Sequence, residues 1–198
     1  MQLVSQLIWL QNKSKLLENK IKYKKIDEYI LSSKKNYAAV AALFVENNEI
    51  LFIKRSEDMP THKGHIAFPG GKREDADKSI VSTAVREATE ELLISEKIIT
   101  PFGYIDSVDT VEYKFEVFPI LCHLESRPTK FNKDEVQKVF YVSIDSLRKK
   151  ENWHYRGLYS NDWIYEFENE ILWGATAKMI RSILVLNLDS NSGSLLHP

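Results

Sequence analysis

Apolar and polar positions change period several times along the chain, and each change predicts a different element. Over residues 1–35, apolar residues such as Leu3 and Leu7 recur three or four positions apart, which predicts an N-terminal helical extension. Two β-prone runs follow, Ala38–Val45 and Ile50–Arg55. The segment that joins them contains adjacent asparagines, which tolerate positive φ, so the two runs are predicted to form a hairpin.

Helical and strand patterns then alternate through the rest of the chain. The predicted elements are a helix at Ser79–Leu92, strands at Ile98–Ser107, Lys114–His123 and Val136–Val142, a short helix capped by Ser143, a hairpin around Ser160–Asp162, and a last helix at Trp173–Leu186. Pro119, inside the second of these strands, indicates a bulge or an edge position. Strands flanked by an early and a late helix predict an α/β (α+β) domain over residues 36–186, followed by a flexible tail at 187–198.

The predicted helix at Ser79–Leu92 carries an unusual acidic face. Glu87, Glu90 and Glu91 lie three and four positions apart, so a turn of 100° per residue places them on one side. Like charges at this spacing cost roughly 0.2–0.5 kcal/mol per pair in an isolated helix. Two interpretations are open: a solvated acidic face, or a set of carboxylates that holds a divalent cation.

The residues around this face resemble a known motif. Gly71, Asp77 and the run Arg86-Glu87-Ala88-Thr89-Glu90-Glu91 closely resemble the Nudix box, G-x5-E-x7-R-E-U-x-E-E-x-G-U, in which U is aliphatic. Three positions depart from it: Asp77 replaces the first Glu, one extra residue precedes Arg86, and Leu93 replaces the late Gly. The resemblance, which covers roughly residues 38–185, implies a Nudix-type (MutT-like) α/β/α sandwich with a mixed sheet.

Upstream residues resemble one branch of that family. The segment Leu51–Ser56, then Gly64, then Phe68–Gly71, is similar to the additional signature of the coenzyme A pyrophosphatases. That branch usually places an arginine where this chain has Pro60, so one phosphate contact is missing, which would be worth on the order of 1.5–3 kcal/mol. The resemblance implies cleavage of coenzyme A or acyl-CoA to 3′,5′-ADP and (acyl-)phosphopantetheine.

The resemblance also implies roles for individual residues. The metal ligands would be Glu87, Glu90, Glu91 and the carbonyl of Gly70 or Gly71, holding Mg²⁺ or Mn²⁺, with Arg86 fixing the carboxylates. The general base is Glu135 or a box glutamate, with Glu112 and Glu116 as weaker candidates and an ordinary surface acid as the plain alternative. Asp77 is either a supporting ligand or the partner of Arg86, on the substrate side of the site. The remaining predicted substrate contacts are Arg55, His62, Lys63 and Phe68.

His62 and His65 lie three residues apart, a spacing that also suggests a metal site. No cysteine or acid nearby completes a tetrahedral set, so phosphate binding or loop hydrogen bonds are the preferred interpretation.

Composition limits the class of protein without naming it. The 198 residues carry a net charge of −1, with 43% hydrophobic and 28% charged residues, as in an ordinary globular domain. That balance supplies no general attraction to nucleic acid or to an anionic membrane. The single cysteine, Cys122, lies in an apolar strand and is interpreted as a buried thiol in a reducing compartment. No apolar run approaches the ~18 residues of a membrane span, so a cytoplasmic protein is expected.

Three functions stay open at this level. They are coenzyme A hydrolysis, hydrolysis of another nucleoside diphosphate derivative such as ADP-ribose or a nucleotide sugar, and nucleotide binding without cleavage. The binding module is disfavoured because such modules typically lose acids from the box, whereas all three glutamates are present. By analogy with relatives, the apolar face of the N-terminal extension offers a surface for a homodimer.

Overall fold

The computed structural model describes residues 21–31, 36–46, 48–109 and 116–188, and the structural statements below concern these residues. The strands are β1 (Tyr37–Val45), β2 (Glu49–Arg55), β3 (Ile66–Ala67), β4 (Gly70–Lys72), β5 (Ile99–Tyr104), β6 (Val108–Asp109), β7 (Glu116–Leu124), β8 (Val136–Ser143), β9 (Trp153–Tyr155), β10 (Trp163–Phe167) and β11 (Glu170–Leu172). The α-helices are α1 (Glu28–Leu31), α2 (Ile80–Leu92), α3 (Ile144–Arg148) and α4 (Gly174–Leu184). Short 3₁₀ turns lie at Glu96–Ile98 and Lys150–Asn152.

The main sheet is mixed, as predicted. Strands β2, β1, β7 and β5 lie side by side in this order, and β8 runs along the far edge of β2. The β1–β7 pair is parallel, while β1–β2, β2–β8 and β5–β7 are antiparallel. The predicted β1–β2 hairpin is confirmed, and Asn48 in its turn has φ of +61°. Strands β9, β10 and β11 form a separate small antiparallel sheet that contains the second predicted hairpin.

Two short strands separate β1 from β2 at one end of the sheet. β1 pairs with β2 through Leu43–Val45 and with β4 through Ala38–Val40, while β2 pairs with β3 at Ile53–Lys54. Strand β4 therefore carries the double glycine into the sheet. A Cβ at Gly70 would lie 2.5 Å from the carbonyl oxygen of Ala39, so only glycine fits at this close approach.

Alternating side chains of the sheet build two cores. On β1, Ala39, Ala41 and Leu43 pack toward α2, while Ala42 and Phe44 pack toward α4. Helices therefore cover both faces, and the predicted α/β/α sandwich is confirmed.

Helix α2 begins and ends through local interactions. Ser79 caps it, with its side-chain oxygen accepting a hydrogen bond from the Ser82 N–H and the Ser82 hydroxyl accepting one from the Ser79 N–H. At the other end Leu93 adopts the left-handed conformation, with φ of +50°, at the position where the box has glycine. The helix thus ends where a glycine would end it, but with a residue that pays a steric cost of roughly 1–2 kcal/mol.

The N-terminal segment differs from the prediction. Residues 1–20 lie outside the described residues. Residues 21–27 form no helix, and within 21–31 only Glu28–Leu31 form a helical turn. Ile21 packs into the core on the α4 side and Ile30 into the core on the α2 side, so the segment crosses the edge of the sheet. Lys24 pairs with Tyr104 of the edge strand β5 on the way. Within residues 21–31, the apolar side chains of Ile21 and Ile30 thus serve two separate cores rather than one helical face.

Pro119 also differs from the prediction, because β7 is a central strand. Its carbonyl accepts a hydrogen bond from the Ile105 N–H, so its ring nitrogen faces the gap between β5 and β6, where the neighbouring ladder is interrupted. No N–H is required there, and proline is tolerated. Strand β11 was not predicted, and residues 189–198 of the predicted tail lie outside the described residues. In the described part of the chain, no helix has the length and apolar character required to cross a membrane.

Candidate active site

Arg86 is the centre of a polar network at the first half of α2. Its Nε and Nη2 donate to the two oxygens of Asp77 at 3.0 Å each, and Nη1 and Nη2 donate to Glu90 and Glu87 at 2.9 Å. Nη2 also donates to the carbonyl of Lys72 at 3.0 Å, which ties α2 to β4. The hydrogen bond to Asp77 is the main reason that the pKa of Arg86 lies above its usual value. Arg86 thus holds the carboxylates, as the resemblance implied.

Asp77 belongs to the network that Arg86 holds together. Its side chain is buried and also accepts hydrogen bonds from the Thr83 hydroxyl at 2.9 Å and the Glu74 N–H at 2.8 Å. Burial alone would raise its pKa, but Arg86 and these donors outweigh it and lower the pKa. Of its two predicted roles Asp77 takes the second, partner of Arg86, while its predicted substrate contact stays a prediction.

Glu91 is a buried carboxylate with weak partners. Only 1% of it is exposed; Oε2 accepts a hydrogen bond from the Gly70 N–H at 3.2 Å, and Oε1 faces Arg55 Nη1 at 3.9 Å. Burial raises the pKa of Glu91 to about 8, and the nearby charges of Glu87 and Glu135 act in the same direction. A cation bound beside such a buried carboxylate would stabilise its ionised form.

Glu87 lies against the double glycine. A Cβ at Gly71 would stand 2.6 Å from the carboxylate carbon of Glu87 and from both its oxygens, so glycine leaves the space that this carboxylate fills. Burial raises the pKa of Glu87, Arg86 opposes the rise, and Glu90 and Glu135 add to it. Gly71 therefore lies next to Glu87 of the acidic face, as predicted.

The donor set suits a hard cation, but the side chains stand apart. No group of three acidic, histidine or cysteine side chains within the described ranges converges on a point where an ion would sit. Glu90, about half exposed, is turned to Arg86 instead. The carboxylates of Glu87 and Glu91, which repel each other, and the carbonyls of the double glycine are nevertheless the oxygen donors that magnesium prefers. The chemistry of these residues fits a divalent cation, provided that the Glu90 carboxylate gives up its hydrogen bond to Arg86.

The loop before β8 brings Glu135 to the same place. The Asn132 N–H donates to the carbonyl of Glu91 at 2.8 Å, and its side-chain amide donates to Glu135 Oε1 at 2.9 Å. Glu135 is close enough for its charge to raise the pKa of both Glu87 and Glu91. Among the weaker candidates, Glu116 is exposed and accepts a hydrogen bond from Ser107, while Glu112 lies outside the described residues.

A cavity of about 520 Å³ opens beside the double glycine. Strands β1, β3 and β4 and the loop before β3 form one side, and the first turns of α4 form the other. Its lining residues are Ala38, Val40, Arg55, Thr61, His62, His65, Ile66, Ala67, Phe68, Gly70, Gly71, Lys72, Val117, Tyr159, Trp173, Gly174, Ala175, Thr176, Lys178 and Met179. This volume is within the range of small-molecule sites, ≈ 300–1,000 Å³.

The predicted substrate contacts divide at this cavity. Arg55, His62 and Phe68 line it, although Phe68 is also a core residue stacked on Phe52 at 5.1 Å. Lys63 is exposed and does not line it. Trp173 and the cavity residues in the first turns of α4 were not predicted as site residues. The sequence showed Trp173 only as the start of a helix, since nothing local indicates which sheet end that helix meets.

Comparisons with known proteins agree with this architecture. A model of the NUDIX domain matches residues 34–161. An uncharacterized Nudix hydrolase, NudL, from Cronobacter sakazakii is 31% identical over 154 residues, which cover 74% of this chain and 80% of its own. NudL from Shigella boydii is 30% identical over 140 residues, with coverage of 68% and 72%.

Among solved structures, DR0079 from Deinococcus radiodurans has a similar fold. It covers 80% of this chain and 96% of its own, with a TM-score of 0.50 and 16% identity. The chain belongs to the Nudix hydrolase family, enzymes that hydrolyse diphosphate bonds and generally use divalent cations.

Proposed function

We propose that this protein hydrolyses the diphosphate bond of coenzyme A or an acyl derivative, yielding 3′,5′-ADP and (acyl-)phosphopantetheine, with Mg²⁺ or Mn²⁺ as cofactor. One observation carries the hydrolytic part of the proposal. The carboxylates of the half-buried Glu87 and the buried Glu91 meet Gly71 and Gly70 beside a cavity large enough for a substrate. A diphosphate held along the double glycine would therefore lie next to the acids.

The residues would divide the chemistry as follows. Glu87, Glu91 and a released Glu90 would hold the cation, together with a carbonyl of the double glycine. When bound, the cation would neutralise the diphosphate and polarise the phosphorus–oxygen bond. Arg86 would keep the carboxylates in place through the bonds that it already makes to Glu87 and Asp77. Glu135, oriented by Asn132, would accept a proton from the attacking water.

Coenzyme A is preferred as substrate because of where its signature lies. The segments that resemble the coenzyme A branch include Arg55 and the run Phe68–Gly71, and Arg55, Phe68, Gly70 and Gly71 line one cavity. Pro60, which stands in place of an arginine, is exposed and does not line the cavity. Arg55 and Lys178 supply positive charge there instead.

A panel of substrates tests the proposal directly. The protein is incubated with Mg²⁺ and coenzyme A, ADP-ribose, nucleotide sugars, dinucleoside polyphosphates or nucleoside triphosphates, and phosphate products are separated by chromatography. We expect 3′,5′-ADP from coenzyme A. If ADP-ribose or a nucleotide sugar is turned over faster than coenzyme A, that compound replaces coenzyme A as the proposed substrate. If a compound raises the melting temperature but is not turned over, the protein is a binding module.

Glu90→Gln tests the site itself. The substitution removes a carboxylate charge from the proposed ligand set, so turnover should fall by orders of magnitude, roughly 100-fold or more, while the melting temperature stays within a few degrees. Glu166→Gln, at an exposed position on β10, is the matched control and should retain full turnover. An unchanged rate in Glu90→Gln would remove Glu90 from the site.

A further inference from the structure

The two walls of the cavity differ in origin. The wall from β1, β3 and β4 lies inside residues 34–161, which match the family domain, whereas residues 173–179 of the second wall lie outside that match. The first wall borders the acids that perform the chemistry common to the family. Residues that select among diphosphate substrates are therefore best sought in the second wall.

The chemistry of the cavity restricts what can fill it. Its most deeply buried lining residues, Ile66, Phe68 and Met179, are all apolar, and the half-buried Val40 and Ala175 extend the same surface. A sugar ring packed against this apolar surface would bury hydroxyl groups without partners there, which costs free energy for each one. An apolar arm would bury its methyl and methylene groups favourably. The lining thus favours the part of a substrate that carries few hydroxyls.

Trp173 is a rigid part of this second wall. The guanidinium of Arg156 lies 5.1 Å from its ring centroid, and the ring of His65 meets it edge-on at 4.7 Å. Arg156 is itself held by the buried Asp162, which accepts from Nε at 2.9 Å and from Nη2 at 3.1 Å. An aromatic surface held in this way loses little conformational entropy when a ligand packs on it.

We propose that the second wall, with Trp173 at its centre, is the subsite for the pantetheine arm of the substrate and for any acyl group on that arm. The proposal rests on the proposed function, because it assigns one half of coenzyme A to this cavity. The diphosphate then lies at Gly70 and Gly71, and the 3′,5′-ADP half points away from α4. Trp173 and Ala175 become residues that determine specificity against sugar-containing diphosphates.

The two product halves serve as separate probes. Binding of 4′-phosphopantetheine and of 3′,5′-ADP is measured by titration calorimetry in the presence of Mg²⁺. Ala175→Phe places a ring into the cavity from the first turn of α4, and Ser182→Phe places the same ring on the exposed side of that helix as the control. We expect Ala175→Phe to weaken 4′-phosphopantetheine about tenfold, which is ~1.4 kcal/mol, and to change 3′,5′-ADP less than about twofold.

Trp173 is tested by a conservative pair of variants. Trp173→Ala should weaken 4′-phosphopantetheine about tenfold and raise KM for coenzyme A more than it lowers kcat, while Trp173→Phe should recover most of the loss. Melting temperatures show whether each variant is folded. A merely structural role of Trp173 would weaken both probes equally.

Other outcomes overturn the proposal. If Ala175→Phe and Trp173→Ala weaken 3′,5′-ADP instead, the cavity takes the nucleoside half. If 4′-phosphopantetheine fails to bind the wild type, or binds both variants as well as the wild type, the arm lies elsewhere. Turnover of coenzyme A by the wild type separates the two failures: its presence leaves the proposed function intact, and its absence removes both proposals.

Discussion

Glu91 and Asp162 are the two least exposed carboxylates in the described part of the chain, and their surroundings are opposite. Glu91 has one hydrogen bond of 3.2 Å from a backbone N–H and a guanidinium at 3.9 Å. Asp162 accepts two hydrogen bonds from Arg156, at 2.9 and 3.1 Å, and one from the Leu158 N–H at 3.0 Å. Burial raises the pKa of Glu91 to about 8. Burial also acts to raise the pKa of Asp162, but Arg156 and Tyr159 outweigh it and the pKa is lowered.

The difference separates a carboxylate that is fully paired within the fold from one that we propose binds a cation. A buried charge is tolerated in a fold when paired donors replace the water that it has lost, as at Asp162. Glu91 lacks that replacement and lies beside two further acids, so the folded protein bears a cost that a bound cation would offset. The fold thus pairs the Asp162 carboxylate fully and leaves the Glu91 carboxylate with weak partners.

The largest expected effect is on catalysis by Glu91→Gln. Because the variant loses a proposed cation ligand, we expect kcat to fall on the order of 100-fold or more. Its melting temperature should hold or rise, since a neutral amide is cheaper to bury than a carboxylate. Steady-state kinetics and thermal melts without added cation measure both quantities. Wild-type turnover in this variant would show that Glu91 is as structural as Asp162.

Asp162→Asn should show the reverse pattern. Removing the charge leaves the half-buried Arg156 without its partner, so the free energy of unfolding should fall by about 1–3 kcal/mol. At roughly 2–4 °C per kcal/mol for a chain of this size, the melting temperature drops by about 2–12 °C. Any kinetic effect should appear in KM, through Arg156 and Trp173, rather than in kcat. A large fall in kcat with an unchanged melting temperature would reverse the two assignments.

The third effect is a pH dependence of stability caused by Glu91. Its pKa is about 8 in the folded protein, against an ordinary value of 4.5. Between these values the folded state keeps a proton that the unfolded state has lost, so Glu91 lowers stability as pH rises from 4.5 to 8. Asp162, with a lowered pKa, has the opposite sign and acts only in acid, below its ordinary value of 3.8.

The difference between wild type and Glu91→Gln isolates this dependence. Melting temperatures are compared at pH 5 and pH 8.5 without divalent cations. A pKa shift of this size predicts that the variant gains ~4 kcal/mol on the wild type over this range, which corresponds to about 8–16 °C. A difference that stays constant across this range would mean that Glu91 titrates normally.

Local rules were enough to predict several parts of the site from the sequence. Ser79 as the start of α2 and Leu92 as its last residue follow from capping and from apolar periodicity, which act within a few neighbouring positions. The same periodicity places Glu87, Glu90 and Glu91 on one face. The position of the double glycine beside the acidic face could be predicted only with the help of the resemblance. Gly70 and Gly71 contact β1 and α2 rather than residues near them in the sequence.

Long-range packing decided the rest. The sequence by itself determined the elements of the sandwich, the acidic face of α2 and the family. Only the tertiary structure decided that Glu91 is buried and Asp77 paired, that residues 21–31 cross the edge of the sheet, and that Trp173 faces the double glycine. Burial and pairing are set by residues distant along the chain, and a pKa or a cavity depends on those neighbours, whereas a helix depends mainly on its own.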